Sequence, residues 1–204
     1  MSARKIYVAG VAIFDFDEDP HSWQWKILLV QLAEPHKFAG TWQLPCARLE
    51  YDPKGKSPVE VVLDTLAKAR IVGSTGDDWI DSVHNQEVKV EEVKGPGTPL
   101  KWSESAAQDF KCLDEPEYVL YEQRNFVVNV PRGLGPGEQN IKLEAGGAFA
   151  AIKWVTEYEF KNEVRAGNLH TGPEIERMII DAFECREKIE AKVERRQREE
   201  RGIE

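Results

Sequence analysis

The sequence predicts one domain of α/β (α+β) class, and three observations carry that expectation. Two apolar, β-branched runs at residues 6–14 and 25–32 read as buried strands. A complete helix start stands at Ser57. Further strand-like segments then lead to an amphipathic helix behind Pro173, so strands precede the last helix instead of alternating regularly with helices.

Each element follows from local chemistry. The runs IYVAGVAIF (6–14) and WKILLVQL (25–32) predict a hairpin, joined by the acidic, proline-containing turn DFDEDPH at 15–21. A loop at 33–40 leads into the short run Trp42-Gln43-Leu44-Pro45. The first helix has Ser57 as its N-cap, Pro58 at its first position and Glu60 three residues after the cap. Val59, Val62, Leu63 and Leu66 then recur at helical spacing as its apolar face, with Gly73 as the stop. Asp64 and Lys68, four apart, predict a surface ion pair.

The second half begins with partial alternation over 82–93. The Gly-Pro-Gly-Thr-Pro run at 95–99 breaks it, and residues 94–116 are expected to form an insertion or loop. Strands are predicted at 118–130, 141–143 and 149–155, and a short helix at 157–164. In the last helix Ile175, Met178, Ile179, Ala182 and Phe183 form a docking stripe. Residues 1–188 therefore read as the domain, and 189–204 as a charged helical tail with a solvated, fraying end.

The totals bound the function classes. With 204 residues, 41% hydrophobic and 31% charged, the composition is globular. A net charge of −9 disfavours nonspecific binding to nucleic acid or to an anionic membrane. A local basic patch of Arg48, Lys54, Lys56, Lys68 and Arg70 would be needed to override it. Cys46, Cys112 and Cys185 form no C-x-x-C pair, which argues against thiolate zinc and suits a reducing compartment. No signal-like or membrane-spanning apolar run is present, so the chain is expected in the cytoplasm, with no membrane partner.

The segment Gly40-Thr41-Trp42-Gln43-Leu44-Pro45-Cys46-Ala47-Arg48-Leu49-Glu50 resembles the G-x-W-x-L-P-G-G-x-x-E stretch of the Nudix hydrolase family. Lys153-Trp154-Val155-Thr156-Glu157-Tyr158-Glu159 resembles the family's W-V-x-x-E-E segment. With the opening strands, the similarity spans most of residues 5–185. It implies an α/β/α sandwich around a mixed sheet, here with an insertion and a long C-terminal helix. It also implies hydrolysis of a diphosphate linked to another group, assisted by Mg²⁺ or Mn²⁺.

Against the family's box, G-x5-E-x7-R-E-U-x-E-E-x-G-U with U a bulky aliphatic, the sequence departs at several positions. Cys46 and Ala47 replace the two glycines that precede it, and the loop at 51–56 is about three residues longer. Asp64-Thr65 stands for Arg-Glu, Lys68-Ala69 for the glutamate pair and Ile71 for the glycine, while Leu66 matches the aliphatic. Glutamates on one helical face supply hard oxygen ligands, and the ions lower the pKa of the attacking water. One carboxylate with a cation a turn away would hold such ions poorly.

Glu50 and Asp64 are the candidate catalytic carboxylates, each with a plainer reading as a solvated group or, for Asp64, a partner of Lys68. Trp42, Cys46, Arg48, Lys68 and Arg124 are the candidate ligand-binding residues, with no metal ligand assigned. A buried structural role is the plainer reading of Cys46, and a packing role that of Trp42 and Trp154. Trp102 and Phe110 are further candidates for capping an apolar ligand, while His36 and His84 read as structural or exposed.

The leading expectation is a Nudix-fold protein with its metal box lost, binding a small molecule or acting without metal in the inherited cleft. One alternative is a divergent Mg²⁺-dependent hydrolase with carboxylates moved to Glu50, Asp52 and Glu144. Another is an interaction module that uses the insertion and the charged C-terminal helix for a protein partner. Self-association as a homodimer is left open.

Overall fold

A computed structural model describes residues 4–16, 24–73, 83, 88–94, 99–105, 118–129 and 141–201. Its centre is β1 (Arg4–Phe16), which pairs in parallel with β8 (Tyr118–Asn129) along its first ten residues, from Arg4 opposite Val119 to Ile13 opposite Val128. The other side of β1 is shared. Residues Tyr7 to Gly10 pair antiparallel with β4 (Cys46–Leu49), and Phe14 to Phe16 with β2 (Trp25–Leu32). Beyond β2 lie β3 (Trp42–Gln43) and β10 (Phe149–Thr156), both antiparallel to it. The expected hairpin is present, although Asp15 and Phe16 belong to its strand and the rest of the acidic turn, 17–21, lies outside the described residues.

The far edge is built from β6 (Lys89–Glu92) and β7 (Leu100–Ser105), which pair antiparallel with successive stretches of β8. Val93 continues the first by donating to the Asn125 carbonyl at 2.8 Å. Residues 100–105 were expected inside an insertion. They are strand because β8 offers an unfilled edge opposite Tyr118–Gln123, and pairing satisfies backbone groups that a loop would leave to water. A separate two-stranded sheet joins β5 (Ile71–Gly73) to β9 (Ile141–Leu143).

The helices form layers on both faces. Helix α1 (Pro58–Ala69) covers one face, and α2 (Glu157–Arg165) with α3 (Pro173–Glu200) covers the other. In β1, Ala9, Val11 and Ile13 pack towards α1, while Ala12 and Phe14 pack towards α3. In β2 the same division separates Leu28, Val30 and Leu32 from Ile27 and Leu29. Burial on both faces is why these strands read as continuous apolar runs without alternation. The architecture is the expected α/β/α sandwich with a mixed sheet.

Ser57 caps α1 as expected: its hydroxyl accepts from the Glu60 amide, and the Glu60 carboxylate accepts from the Ser57 amide. A second such box, Thr156 with Glu159, starts α2. The buried face of α1 differs from the expected stripe. Val61, Val62, Thr65, Leu66 and Ala69 are buried, whereas Val59 and Leu63 sit at the margin, because the helix is rotated to present its smaller side chains to the sheet. Each large aliphatic so buried contributes roughly 1.5–3 kcal/mol.

The helix also ends earlier than the Gly73 stop. Arg70 adopts a left-handed conformation, φ 56°, and Ile71–Gly73 pairs as strand. At the other end of the chain, the docking stripe runs on past Phe183 through Arg186 to Ile189, and the charged segment stays helical to Glu200.

Candidate functional site

The loop that links β4 to α1 carries Glu50, which is exposed. Behind it, Asp52 accepts from the Tyr7 hydroxyl at 2.9 Å and from the Lys54 amide at 3.0 Å, which fixes the short 3-10 turn Pro53–Gly55. Tyr51 hydrogen-bonds Asp64, and burial followed by that bond pushes its hydroxyl up to about 12. On the other flank of Asp64, one helical turn along, the Lys68 ammonium lies 3.4 Å from the carboxylate. Tyr51 and Lys68 thus flank the Asp64 carboxylate, whose Oδ2 is buried without a hydrogen bond. Thr65 and Ala69, the neighbouring positions on that helix, are buried, and the Thr65 hydroxyl donates to the Val61 carbonyl at 2.6 Å.

Beside this region on the α1 face of the sheet is a second charged group. Glu122 is buried, with Lys5 at 2.7 Å, Arg124 at 3.6 Å and Lys54 at 4.0 Å. The Lys5 hydrogen bond, the largest cause, holds the Glu122 carboxyl below its ordinary range, with the charges of Lys54 and Lys101 adding to it. Arg124 also donates to Glu92 at 3.0 Å. The candidate ligand residue Arg124 is therefore occupied by two carboxylates of its own sheet.

The opposite face gathers other candidates. Cys46 and Arg48 lie opposite Gly10 and Val8 in the register, and Val8, Tyr121 and Ile6 pack with Cys46. The Arg48 guanidinium sits 5.6 Å from the Tyr121 ring centre and donates to its hydroxyl at 3.4 Å. Along β8 on this face follow Gln123 and Asn125, whose amides join at 3.0 Å, and Asn125 reaches Met178 Sδ of α3 at 2.9 Å. Trp42 belongs to the α3-side core, a packing role. Burial pushes the Cys46 thiol up to about 12, which disfavours the thiolate form.

The candidate residues therefore do not converge on one point. Asp64 and Lys68 meet on α1, Cys46 and Arg48 meet on the α3 face, and Arg124 stands with Glu122. The basic residues considered as a patch are likewise dispersed. Arg48 lies on the α3 face, Lys68 pairs with Asp64, and Arg70 donates to the Ala145 carbonyl. Trp102 lies in β7, whereas Phe110, His84 and Cys112 fall outside the described residues.

Gly10, Tyr51, Tyr121, Gln123 and Asn125, which stand beside these candidates, were not singled out in the sequence. For the β8 trio the available signal was the polar Gln123-Arg124-Asn125 interruption of an apolar strand. Among the described residues, no group of three or more His, Cys, Asp or Glu side chains is placed to hold a metal ion. No helix among them is long and apolar enough to cross a membrane.

A mixed sheet between one capped helix and a long C-terminal helix, with the Trp42–Glu50 segment leading into the first of them, defines the Nudix fold. Solved structures agree with that assignment. A protein described as a Nudix hydrolase from Alicyclobacillus acidocaldarius superposes with a TM-score of 0.51 at 11% identity, covering 88% of this chain and 90% of that one. One from Listeria monocytogenes gives 0.50 at 11% identity, covering 91% and 95%. The Nudix domain of Shewanella oneidensis NrtR, solved with ADP ribose, gives 0.46 at 14% identity, covering 90% and 89%. At these identities the likeness is one of fold. No family model and no curated protein matches the sequence.

Proposed function

We propose that this chain uses the Nudix scaffold to bind a small molecule and does not carry out metal-dependent hydrolysis of a diphosphate. The observation that carries this reading is the Lys68 ammonium 3.4 Å from Asp64. Asp64 is the one carboxylate between Leu63 and Arg70, the stretch of helix that corresponds to the family's cluster of glutamates. Arg70, not Ile71, holds the left-handed geometry that favours glycine, so the helix fits the family's box in two registers one residue apart. Asp64 remains the sole acid in both. A divalent cation there would have to displace Lys68 and the Tyr51 hydroxyl, and would gain one carboxylate where an all-oxygen shell is needed. The residues on α1 do not fit such an ion.

The reading of migrated carboxylates is weakened in the same way. Asp52 is engaged by Tyr7 and by the Lys54 amide, which leaves Glu50 and Glu144 as exposed groups on separate loops. Glu50 remains the candidate acid or base for any reaction without metal. The test is incubation with a panel of diphosphate-linked nucleotides in Mg²⁺ or Mn²⁺. No release of nucleotide or phosphate is expected. Metal-dependent release that disappears in Glu50→Gln would overturn the reading.

A further inference from the structure

A cavity of about 460 Å³ opens where α2 begins beside the start of β2 and the middle of α3. No residue of the α1 region, and none of the Cys46 and Arg48 group, lines it. Its apolar walls are Trp25, Phe183 and Tyr158, whose ring is 72% exposed. Its charged lining is Glu157 and Lys161 from α2, with Arg186 and Glu187 from α3. Both cations are matched within the protein. Lys161 pairs with Glu157 one turn back on α2. The buried Arg186 guanidinium lies 3.6 Å from the Trp25 ring centre and 3.6 Å from Glu190, which also accepts from the Trp25 indole. Glu187 differs from them. It is exposed, and among the described residues no hydrogen bond or ion pair engages it. Three carboxylates, Glu157, Glu187 and Glu190, thus stand against two cations around this cavity.

We propose that this cavity binds a small quaternary ammonium ion, held by the Tyr158 ring and the Glu187 carboxylate. The face of an aromatic ring carries the negative part of its quadrupole and attracts a cation, most strongly where water is partly excluded. Arg186 on the Trp25 ring is the same interaction made within the protein. Packing does not account for Tyr158, because Phe160, two positions on, is the residue that buries α2 against the core. An anionic ligand would have to take Lys161 from Glu157 or Arg186 from Glu190. A primary ammonium carries three N–H donors, and Glu187 is the one carboxylate of the lining without a partner among the described residues. A quaternary ammonium donates no hydrogen bond, so rings and one unmatched charge suffice for it. The volume is in the range of small-molecule sites, about 300–1,000 Å³. The net charge of −9 favours the approach of a cation over that of an anion.

Calorimetry on the full chain tests this with three probes of similar size. They are choline, its uncharged analogue with carbon in place of nitrogen, and ethanolamine, a primary ammonium. Choline should bind about tenfold more tightly than either of the others. Tyr158→Ala and Glu187→Gln change exposed positions and should leave the fold intact, which circular dichroism checks. Tyr158→Ala should weaken choline binding about tenfold, and Glu187→Gln should remove the preference for choline over the uncharged analogue. Absence of choline binding would overturn the inference. So would equal affinity for choline and the uncharged analogue, tighter binding of ethanolamine, or unchanged choline affinity in both folded variants. The comparison of probes on the wild type decides the matter even if a variant does not fold.

Discussion

The guanidinium of Arg70 closes over the turn that joins β9 to β10, with Nη1 donating to the Ala145 carbonyl at 2.8 Å across 75 positions of sequence. The same residue ends α1 in a left-handed conformation, and its own carbonyl accepts from the Glu144 amide at 3.0 Å. One side chain and one backbone strain thus tie the end of the first helix to the approach of β10.

Substitutions at Arg70 should separate these two effects. Arg70→Ala keeps the left-handed strain and loses the hydrogen bond, for an expected destabilisation of about 1 kcal/mol. Arg70→Gly loses the same bond but relieves strain of similar size, so its net change should be near zero. Urea unfolding of the two variants checks the order. Equal losses would place the strain elsewhere.

Glu122 should give stability an acid limb. Lys5, Lys54 and Lys101 hold its folded pKa below the ordinary 4.5. A depressed carboxylate contributes stability that is fully present above the unfolded value and is lost as pH falls through the folded one. Unfolding midpoints of the wild type should therefore decline below about pH 4.5, whereas Glu122→Gln should be less stable at neutral pH and flatter over that acid range. An identical acid limb in the variant would show that other groups produce it.

Lys68→Glu should turn the Asp64 pair into two carboxylates one helical turn apart. Without metal the like charges should cost a few tenths of a kcal/mol. With Mg²⁺ or Mn²⁺ the variant should gain a rise in Tm that the wild type lacks, since ions bound only by the folded state stabilise it. An equal rise in both proteins would mean that the cation sits elsewhere.

The C-terminal helix should tolerate truncation only to a defined point. Ile189 is 2% exposed, and the Trp25 indole donates to Glu190 at 3.0 Å. A chain ended after Lys188 loses both and should be destabilised by about 2–4 kcal/mol. One ended after Lys192 should stay within about 0.5 kcal/mol of the full chain, as expected for exposed positions. Urea midpoints measure both.

Local chemistry determined the elements that the sequence made legible. The apolar runs of β1 and β2, the Ser57 and Glu60 cap, the Asp64 and Lys68 pair and the stripe from Ile175 to Phe183 each depend on residues within one or two turns of each other, or within one strand. The segment Gly40 to Glu50 carried the fold assignment for the same reason. Tertiary structure alone decided the rest. Residues 100–105 became strand because β8 had a free edge, and α1 ended at Arg70 because the turn after β9 came to meet it.

It likewise decided a contact across the central strands. Gly10 lies more than 100 positions from Gln123 and Asn125 in sequence, and only the parallel pairing of β1 with β8 sets its missing Cβ against their amides. Sequence spacing reports neighbours along the chain. Pairing between distant strands depends on which edges the whole domain leaves open, so a site assembled across them becomes visible only once the sheet is formed.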